Sequence, residues 1–406
     1  MNTTSFGKTI TKLRKKEGLT QSELAERLNV SNKAVSKWEN GGGYPEITMI
    51  PQISEIFGVS IDSLLKGDTQ GIAIAGNILV DIVNMLDRFP EKGMLANILS
   101  TVQAVGGCVP NTIIDIAKID PDVYLSAYGM VGNDENGRYV ISQMRKYGID
   151  VSGVIVSDDD VTATTNVMTD SRTGERTFFY NSGASAKFDV DDIDIDSLDC
   201  KIFHAGYILL LDALDKKDDE YGTRMARLLD KVSKKGIKTS IDVVSEDGNR
   251  FVEKIVPALK YCDYAILNEI ESCRVTNLSP RNEDGTICVD NIKKTMEKFF
   301  EYGVREKVIV HCVEAGFMLD KNGSFYVSGS LQLPEGYIKG SVGAGDAYAA
   351  ACLYGLYKEY EPCDILEFAA AAAACNLAAT DSISGMRSKS EIDKLRNTYQ
   401  KREVNL

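Results

Sequence analysis

The run Gly340-Ser341-Val342-Gly343-Ala344-Gly345-Asp346-Ala347-Tyr348-Ala349-Ala350 sets glycines directly before an alanine-rich segment that reads as a helix over 346–357. Glycines at a helix start leave backbone N–H groups exposed, and with the helix dipole these make an anion hole. Gly343, Ala344 and Gly345 supply its amides. Asp346 falls in the first turn, beside the hole. A carboxylate there can take a proton from a hydroxyl as a phosphoryl group arrives. The same pattern also suits a plain helix cap, and alone it does not choose between the two.

Outward from this run, four further strings stand at strand-to-helix turns. Gly76-Asn77-x-x-x-Asp81 follows a short buried strand over 72–76, and Asp81 can accept from paired hydroxyls. Gly106-Gly107-x-x-x-Asn111 opens another helix. Its glycines allow close approach, and Asn111 offers an amide to a polyol. Gly129-x-Val131-Gly132-x-Asp134-x-x-Gly137 is a third such turn. Asn268-x-x-Glu271 puts an amide and a carboxylate on one helical face, suited to Mg²⁺ and its waters.

Strand-like segments at 199–206, 238–242, 264–267 and 307–311 alternate with helical ones at 137–147, 220–235 and 292–302. That alternation predicts a mainly parallel sheet with helices on both faces, an α/β class. Segments 165–170 and 176–180 flank Ser171-Arg172-Thr173-Gly174 and read as a hairpin, a candidate lid.

Residues 1–66 read differently, as short helices. Thr20 caps a helix from Gln21, and Glu23 completes a capping box. Ser31 caps the next helix, which runs to about Glu39. Leu24, Ala25, Leu28, Val30, Val35 and Trp38 give each helix one apolar face. Asn32, Lys33, Ser36 and Lys37 are left on the outer face, with types that suit phosphate and base-edge contacts in a major groove. Gln21, at a helix N-terminus, suits a phosphate contact. A helical bundle used only for protein contacts would share the apolar pattern. Residues 67–71 break the two patterns, which divides the chain into 1–66, a linker 67–71, and 72–406.

Composition narrows the field. The chain has 406 residues, 44% hydrophobic and 26% charged, ordinary for a globular protein of two or three domains. No run of about 18 apolar residues is present, so no membrane contact is expected. The first ten residues lack an apolar signal core, which predicts a cytoplasmic protein. Nine cysteines include no C-x-x-C pair, and buried free thiols are expected. Two histidines, His204 and His311, are too few for a multi-histidine metal centre. His311 reads as a strand-end or pocket-wall residue. Residues 1–66 hold nine Lys/Arg against seven Asp/Glu in a chain of net charge −13. That fits a head that touches nucleic acid, and it equally fits chance fluctuation.

On these strings, residues 5–65 resemble the Cro/C1-type (XRE-like) helix-turn-helix family; Ala34-Val35-Ser36-Lys37-Trp38-Glu39-Asn40-Gly41 is similar to its recognition-helix end. Residues 71–395 resemble the PfkB/ribokinase family of carbohydrate and nucleoside kinases. The second resemblance implies a ribokinase-like three-layer α/β/α sandwich with a small β lid, mainly around 78–92 and 162–182. It implies Asp346 as catalytic base, with Gly343, Ala344 and Gly345 as anion hole. Asp81, Gly106, Gly107 and Asn111 would meet the substrate, and Asn268, Glu271 and Gly316 the nucleotide phosphates. Asn268 and Glu271 would hold Mg²⁺ through water.

ATP would be the donor and a hydroxymethyl group of a sugar or nucleoside the acceptor. The head implies DNA binding and a homodimer. Gly340 and Ser341 stand where the family has Asp and Thr, which makes activation by a monovalent cation doubtful. The rival reading is a transcriptional regulator whose catalytically weak kinase fold senses a sugar or nucleoside.

Overall fold

The computed structural model describes residues 3–59, 61–66, 71–245 and 248–404. It divides into two compact units, Met1–Gly71 and Ile72–Leu406. Of the expected linker, 67–70 lie outside the described residues, and Gly71 already belongs to the first strand.

The first unit is helical: α1 (Thr3–Lys16), α2 (Gln21–Arg27), α3 (Asn32–Glu39), α4 (Ile50–Phe57) and α5 (Ile61–Lys66). The Thr20 hydroxyl accepts from the Glu23 N–H, and the Glu23 carboxylate accepts from the Thr20 N–H. This capping box satisfies donors that have no intrahelical partner. Ser31 caps α3 on the N–H of Ala34. Phe6, Ile10, Leu24, Ala25, Leu28, Val35, Trp38 and Ile53 form the core of the unit. Gly7 lets α1 lie against α3, since a Cβ there would overlap the carbonyls of Trp38 and Glu39.

The second unit begins with β1 (Gly71–Gly76), β2 (Leu79–Leu86), β3 (Ile98–Gly106), α6 (Cys108–Ile119), β4 (Leu125–Gly132) and α7 (Glu135–Lys146). Next come β5 (Asp150–Ser157), β6 (Ala163–Asp170), β7 (Arg176–Asn181) and β8 (Cys200–Ile208). A two-stranded turn, β9 (Lys217–Asp218) and β10 (Gly222–Thr223), leads into α8 (Arg224–Lys234) and β11 (Lys238–Val243). Then follow α9 (Phe251–Leu259), β12 (Tyr264–Asn268), α10 (Glu269–Thr276), α11 (Val289–Glu301) and β13 (Lys307–His311). The unit ends with β14 (Ala315–Asp320), β15 (Phe325–Gly329), α12 (Ala344–Tyr357), α13 (Pro362–Leu377) and α14 (Lys389–Thr398).

Nine strands form the main sheet in the order β15-β14-β13-β12-β11-β8-β1-β4-β5. The ladders from β8 through β13, and from β1 through β5, are parallel; β14 and β15 close one edge antiparallel. Side chains alternate across a strand. Ile72 and Ile74 therefore join the core under α6, α12 and α13, while Ala73 and Ala75 join the one under α8, α9 and α11. The two cores make the three-layer sandwich.

From β1 the chain runs to β4 and β5 on one side, then crosses back to β8 and onward on the other. The boundary between β1 and β8 is thus a topological switch point, and ligands in open α/β sheets bind beyond the strand carboxyl ends there. Asn77, Tyr207, Asp242, Asn268 and His311 all stand at or beside such ends.

A second sheet, β3-β2-β6-β7, forms the lid. The expected segments contain β2, β6 and β7; β3 is an additional strand that the sequence pattern did not mark. It is an edge strand, exposed over most of its length, so it lacks the apolar run that flags a buried strand. The expected helix over 220–235 starts only at Arg224. Thr223 caps it, and the turn through Gly222 precedes it. The Gly129–Gly137 turn proves to be a staple. Asp134 caps α7 on the Gly137 N–H and accepts from the Thr162 N–H and hydroxyl, tying α7 to the entry of β6.

Candidate functional site

Asp346 stands in the first turn of α12, and Gly343 caps that helix. Gly343 has φ of +75°, and a Cβ there would sit 2.6 Å from the Ser382 side chain. Only glycine fits both demands. The first-turn N–H groups have no intrahelical acceptors. That of Ala344 makes a long bond of 3.3 Å to the Ser341 carbonyl.

The Asp346 carboxylate is 6% exposed and lines a cavity of about 240 Å³ with Tyr207, Asp242, Ser245, Asn268, Glu271 and His311, plus Gly343 and Gly345. The Asn111 amide donates to it at 2.9 Å. Ser382 fixes that amide by donating to its oxygen at 2.8 Å. Burial and the nearby Asp242 charge push the Asp346 pKa up to about 7, while the Asn111 and Tyr207 donors oppose the shift.

On the lid side, Asp81 lies on β2 opposite Ala104 and Thr165. Gly106 lies against the Asp81 carboxylate, and a Cβ there would force that carboxylate and the Leu79 side chain to shift. Gly107 is the N-cap of α6, four residues before Asn111. Burial raises the Asp81 pKa to about 6, and its charge in turn reaches Asp346. Asp81 thus adjoins Gly106, and Asn111 adjoins Asp346.

Asn268 and Glu271 are brought together, though not on one helical face. Asn268 precedes α10 as its cap and Glu271 is the third helical residue, and each side chain accepts from the other's backbone N–H. Ser245 donates to Glu271 at 2.8 Å and accepts from the Asn268 amide at 3.1 Å. Burial pushes the Glu271 pKa up to about 8.

Gly316 is not among the residues lining the cavity. It pairs with His311 inside the sheet, and its missing side chain makes room for the Tyr348 hydroxyl. His311 does line the cavity. It stacks on Tyr348 with centroids 4.6 Å apart, and burial lowers its pKa to about 4, so it is neutral at pH 7.

Three participants were not among the expected site residues. Tyr207 donates its hydroxyl to both Asp346 oxygens at 3.0 Å. Asp242, at the end of β11, accepts from the Tyr207 N–H and lies 3.3 Å from His204. Ser382 sits in an irregular loop. For Asp242 the signal was its place at the end of a buried strand; for Tyr207 and Ser382 there was none.

On the head, Lys33 and Lys37 are exposed, and the Lys37 stem lies over Gly42 and Gly43. Gln21 and Asn32 have internal partners: Gln21 donates to Glu39, which also pairs with Arg14, and Asn32 donates to Ser22.

Among the described residues no helix is long and apolar enough to cross a membrane. All nine cysteines are free thiols, six of them buried.

Comparison with known proteins gives two family matches: pfkB family carbohydrate kinase over residues 70–389, and Helix-turn-helix over 10–64. The 5-dehydro-2-deoxygluconokinase of Geobacillus kaustophilus is 24% identical over 336 residues, covering 79% of this chain and 91% of that one. The HTH-type transcriptional activator BcrR of Enterococcus faecalis is 48% identical over 63 residues, 16% of this chain and only 31% of BcrR. Ribokinase from Thermotoga maritima superposes with a TM-score of 0.66 at 20% identity, covering 81% of this chain and all of that one (100%). Arabidopsis thaliana ribokinase complexed with ribose and ATP gives 0.65 at 19%, over 80% and 98% of the two chains. These likenesses establish a ribokinase-like fold, and the match over 70–389 settles the family: the chain belongs to the pfkB family of carbohydrate kinases and carries a helix-turn-helix domain ahead of its kinase domain.

Proposed function

We propose that the chain transfers the γ-phosphoryl group of ATP to a hydroxymethyl group of a sugar or nucleoside. The observation that carries this reading is the meeting of Asp346, the Gly343–Gly345 turn and Asn111 at one helix tip. The acceptor oxygen attacks the γ-phosphorus, the bond to the β–γ bridging oxygen breaks, ADP leaves, and the hydroxyl proton passes to Asp346. A base with its pKa near 7 is matched to that task at neutral pH. Asp81 and Asn111 would orient the acceptor, and the first-turn amides of α12 would receive the phosphoryl oxygens.

The described residues lining the cavity include Asp242, Glu271 and Asp346 and no Lys or Arg. A triphosphate entering such a site needs a cation to offset its charge. Among the described residues no three His, Cys, Asp or Glu side chains converge to hold a metal alone. Mg²⁺ is usually held by one or two carboxylates together with phosphates and waters, and the cavity lining offers Glu271 beside Asn268. Glu271 and Asn268 are the residues that would hold it, and when bound it neutralises charge on the phosphates.

The head would bind DNA through Lys33, Ser36 and Lys37. The chain would act as a cytoplasmic homodimer joined through its lids. Leu99, Val102 and Phe178 of the lid are more than half exposed, and apolar surface of that kind marks an interaction site.

The direct test is ADP release over a panel of sugars and nucleosides, comparing wild type with Asp346→Asn. The variant should lose about 10²–10⁴-fold in turnover while still binding acceptor. Equal rates would remove Asp346 from the mechanism. No turnover on any acceptor, with DNA affinity that responds to one, would favour a sensor.

A further inference from the structure

We infer that Tyr207 is a gate on Asp346: its hydroxyl holds the place the acceptor hydroxyl takes during transfer, and gives it up when the acceptor enters. The inference rests on the kinase reading above and adds a residue to it.

The geometry makes the case. The phenol oxygen stands 3.0 Å from each Asp346 oxygen, bridging the carboxylate. Asn111 already donates to one of those oxygens. A base must receive its proton from the hydroxyl that attacks phosphorus. A donor bridging both oxygens occupies the front of the carboxylate, so attacker and phenol compete for one position.

The backbone is held in an uncommon state around the same residue. Tyr207 has φ of +59° and Leu209 has φ of +90°, both left-handed and neither a glycine. Such conformations are costly and persist only when their surroundings enforce them. Here two carboxylates do so. Asp242 accepts from the Tyr207 N–H, and Asp215 accepts from the N–H groups of Leu209 and Leu211 at 3.0 and 3.3 Å. The ladder between β8 and β11 shifts register at this point, between Ile241 and Val243. Tyr207 is half-buried and lines the cavity it shares with Asp242 and Asp346, so the ring has space beside it. A segment under strain, pinned on one side by Asp242 of the site and bordering open volume, is suited to move when the site fills.

A gate here has a chemical purpose. With ATP bound and no acceptor, water could attack the γ-phosphorus; the bond to the β–γ bridging oxygen would break, ADP would leave, and the water proton would go to Asp346. The phenol on Asp346 bars water from that position.

The test needs no acceptor. Hydrolysis of Mg²⁺·ATP alone to ADP and phosphate is measured for wild type, Tyr207→Phe, Tyr207→Gly and the Tyr207→Phe/Asp346→Asn double variant. Glycine takes the left-handed conformation without steric cost, so it keeps the backbone while removing the ring. Hydrolysis should rise several-fold in Tyr207→Phe, rise further in Tyr207→Gly, and fall to background in the double variant. The acid limb of the Tyr207→Phe profile should also lie at higher pH than that of wild type, since a donor that favours ionised Asp346 is gone. A structural role alone moves neither readout. Hydrolysis at or below wild type in both single variants, with ATP still raising their melting temperatures, would overturn the gate and leave the kinase reading standing. No effect of ATP on the melting temperature of wild type would overturn both.

Discussion

Asp346 is buried, lies near Asp242, and yet must ionise to act. Its pKa of about 7 has two consequences of opposite sign. For catalysis, the ionised form is the base, so kcat/KM for the acceptor should fall as pH drops below about 7 rather than near the ordinary carboxylate value of about 4. For stability, the folded-state pKa is raised above the unfolded one. Its contribution is therefore present in full below about pH 4 and lost as pH rises through 7. Asp346→Asn cannot ionise. Its melting temperature should match wild type near pH 4 and exceed it at pH 8, a difference on the order of a few kcal/mol in stability. Thermal melts across pH 4–8 read this directly, and parallel curves would mean that Asp346 titrates normally. Asp346, Asn111 and Asp81 were legible because glycines punctuate the turns that carry them. Tyr207 was not, because nothing in a tyrosine after Gly206 announces a left-handed backbone. The packing role of Gly316 against Tyr348 was not legible for a related reason: a sequence shows that a side chain is absent without showing what fills the space.

At the scale of elements, the junction of β3 and α6 sets how the lid meets the sandwich. β3 ends at Gly106, Gly107 caps α6, and Asn111 lies one turn further on. Asp81 packs against Gly106 with no room for a methyl group. Gly106→Ala should therefore displace the Asp81 carboxylate and leave the α12 tip untouched. The expected result is a rise in acceptor KM of roughly tenfold to a hundredfold, with the KM for ATP unchanged. A rise in both would mean that the junction, and not Asp81 alone, had shifted. The elements that the sequence exposed best were those with strong periodicity or caps, such as α2, with its Thr20–Glu23 box, and the buried strands β1 and β12. β3 was lost because a solvent-facing edge strand has no apolar run. α8 began four residues late because the turn through Gly222 and the Thr223 cap override a pattern that reads as helical upstream.

For the whole molecule, the two units have different demands. A single helix-turn-helix reads one half-site, and tight binding to paired half-sites requires two heads. The proposed lid-to-lid dimer would pair them. Val102, Val83, Val167 and Phe178 stand in register across the four lid strands, one apolar row running over the sheet. Val102 and Phe178, at its ends, are 58% and 59% exposed. If two lids meet there, one change in the kinase domain should be felt at the DNA. Val102→Glu with Phe178→Glu would place charge on both ends of the row, and repulsion between copies should yield a monomer by analytical ultracentrifugation. DNA affinity should then fall by about 10²–10⁴-fold through lost bivalency, although no residue of 1–66 has changed. The control is Lys33→Ala with Lys37→Ala, which should weaken binding while leaving the dimer intact and should lower the salt dependence of binding by about two phosphate contacts. If the lid variant is monomeric and binds DNA as tightly as wild type, the heads act singly and the lids serve the kinase alone. If it stays dimeric, the copies meet elsewhere and the apolar row needs another account.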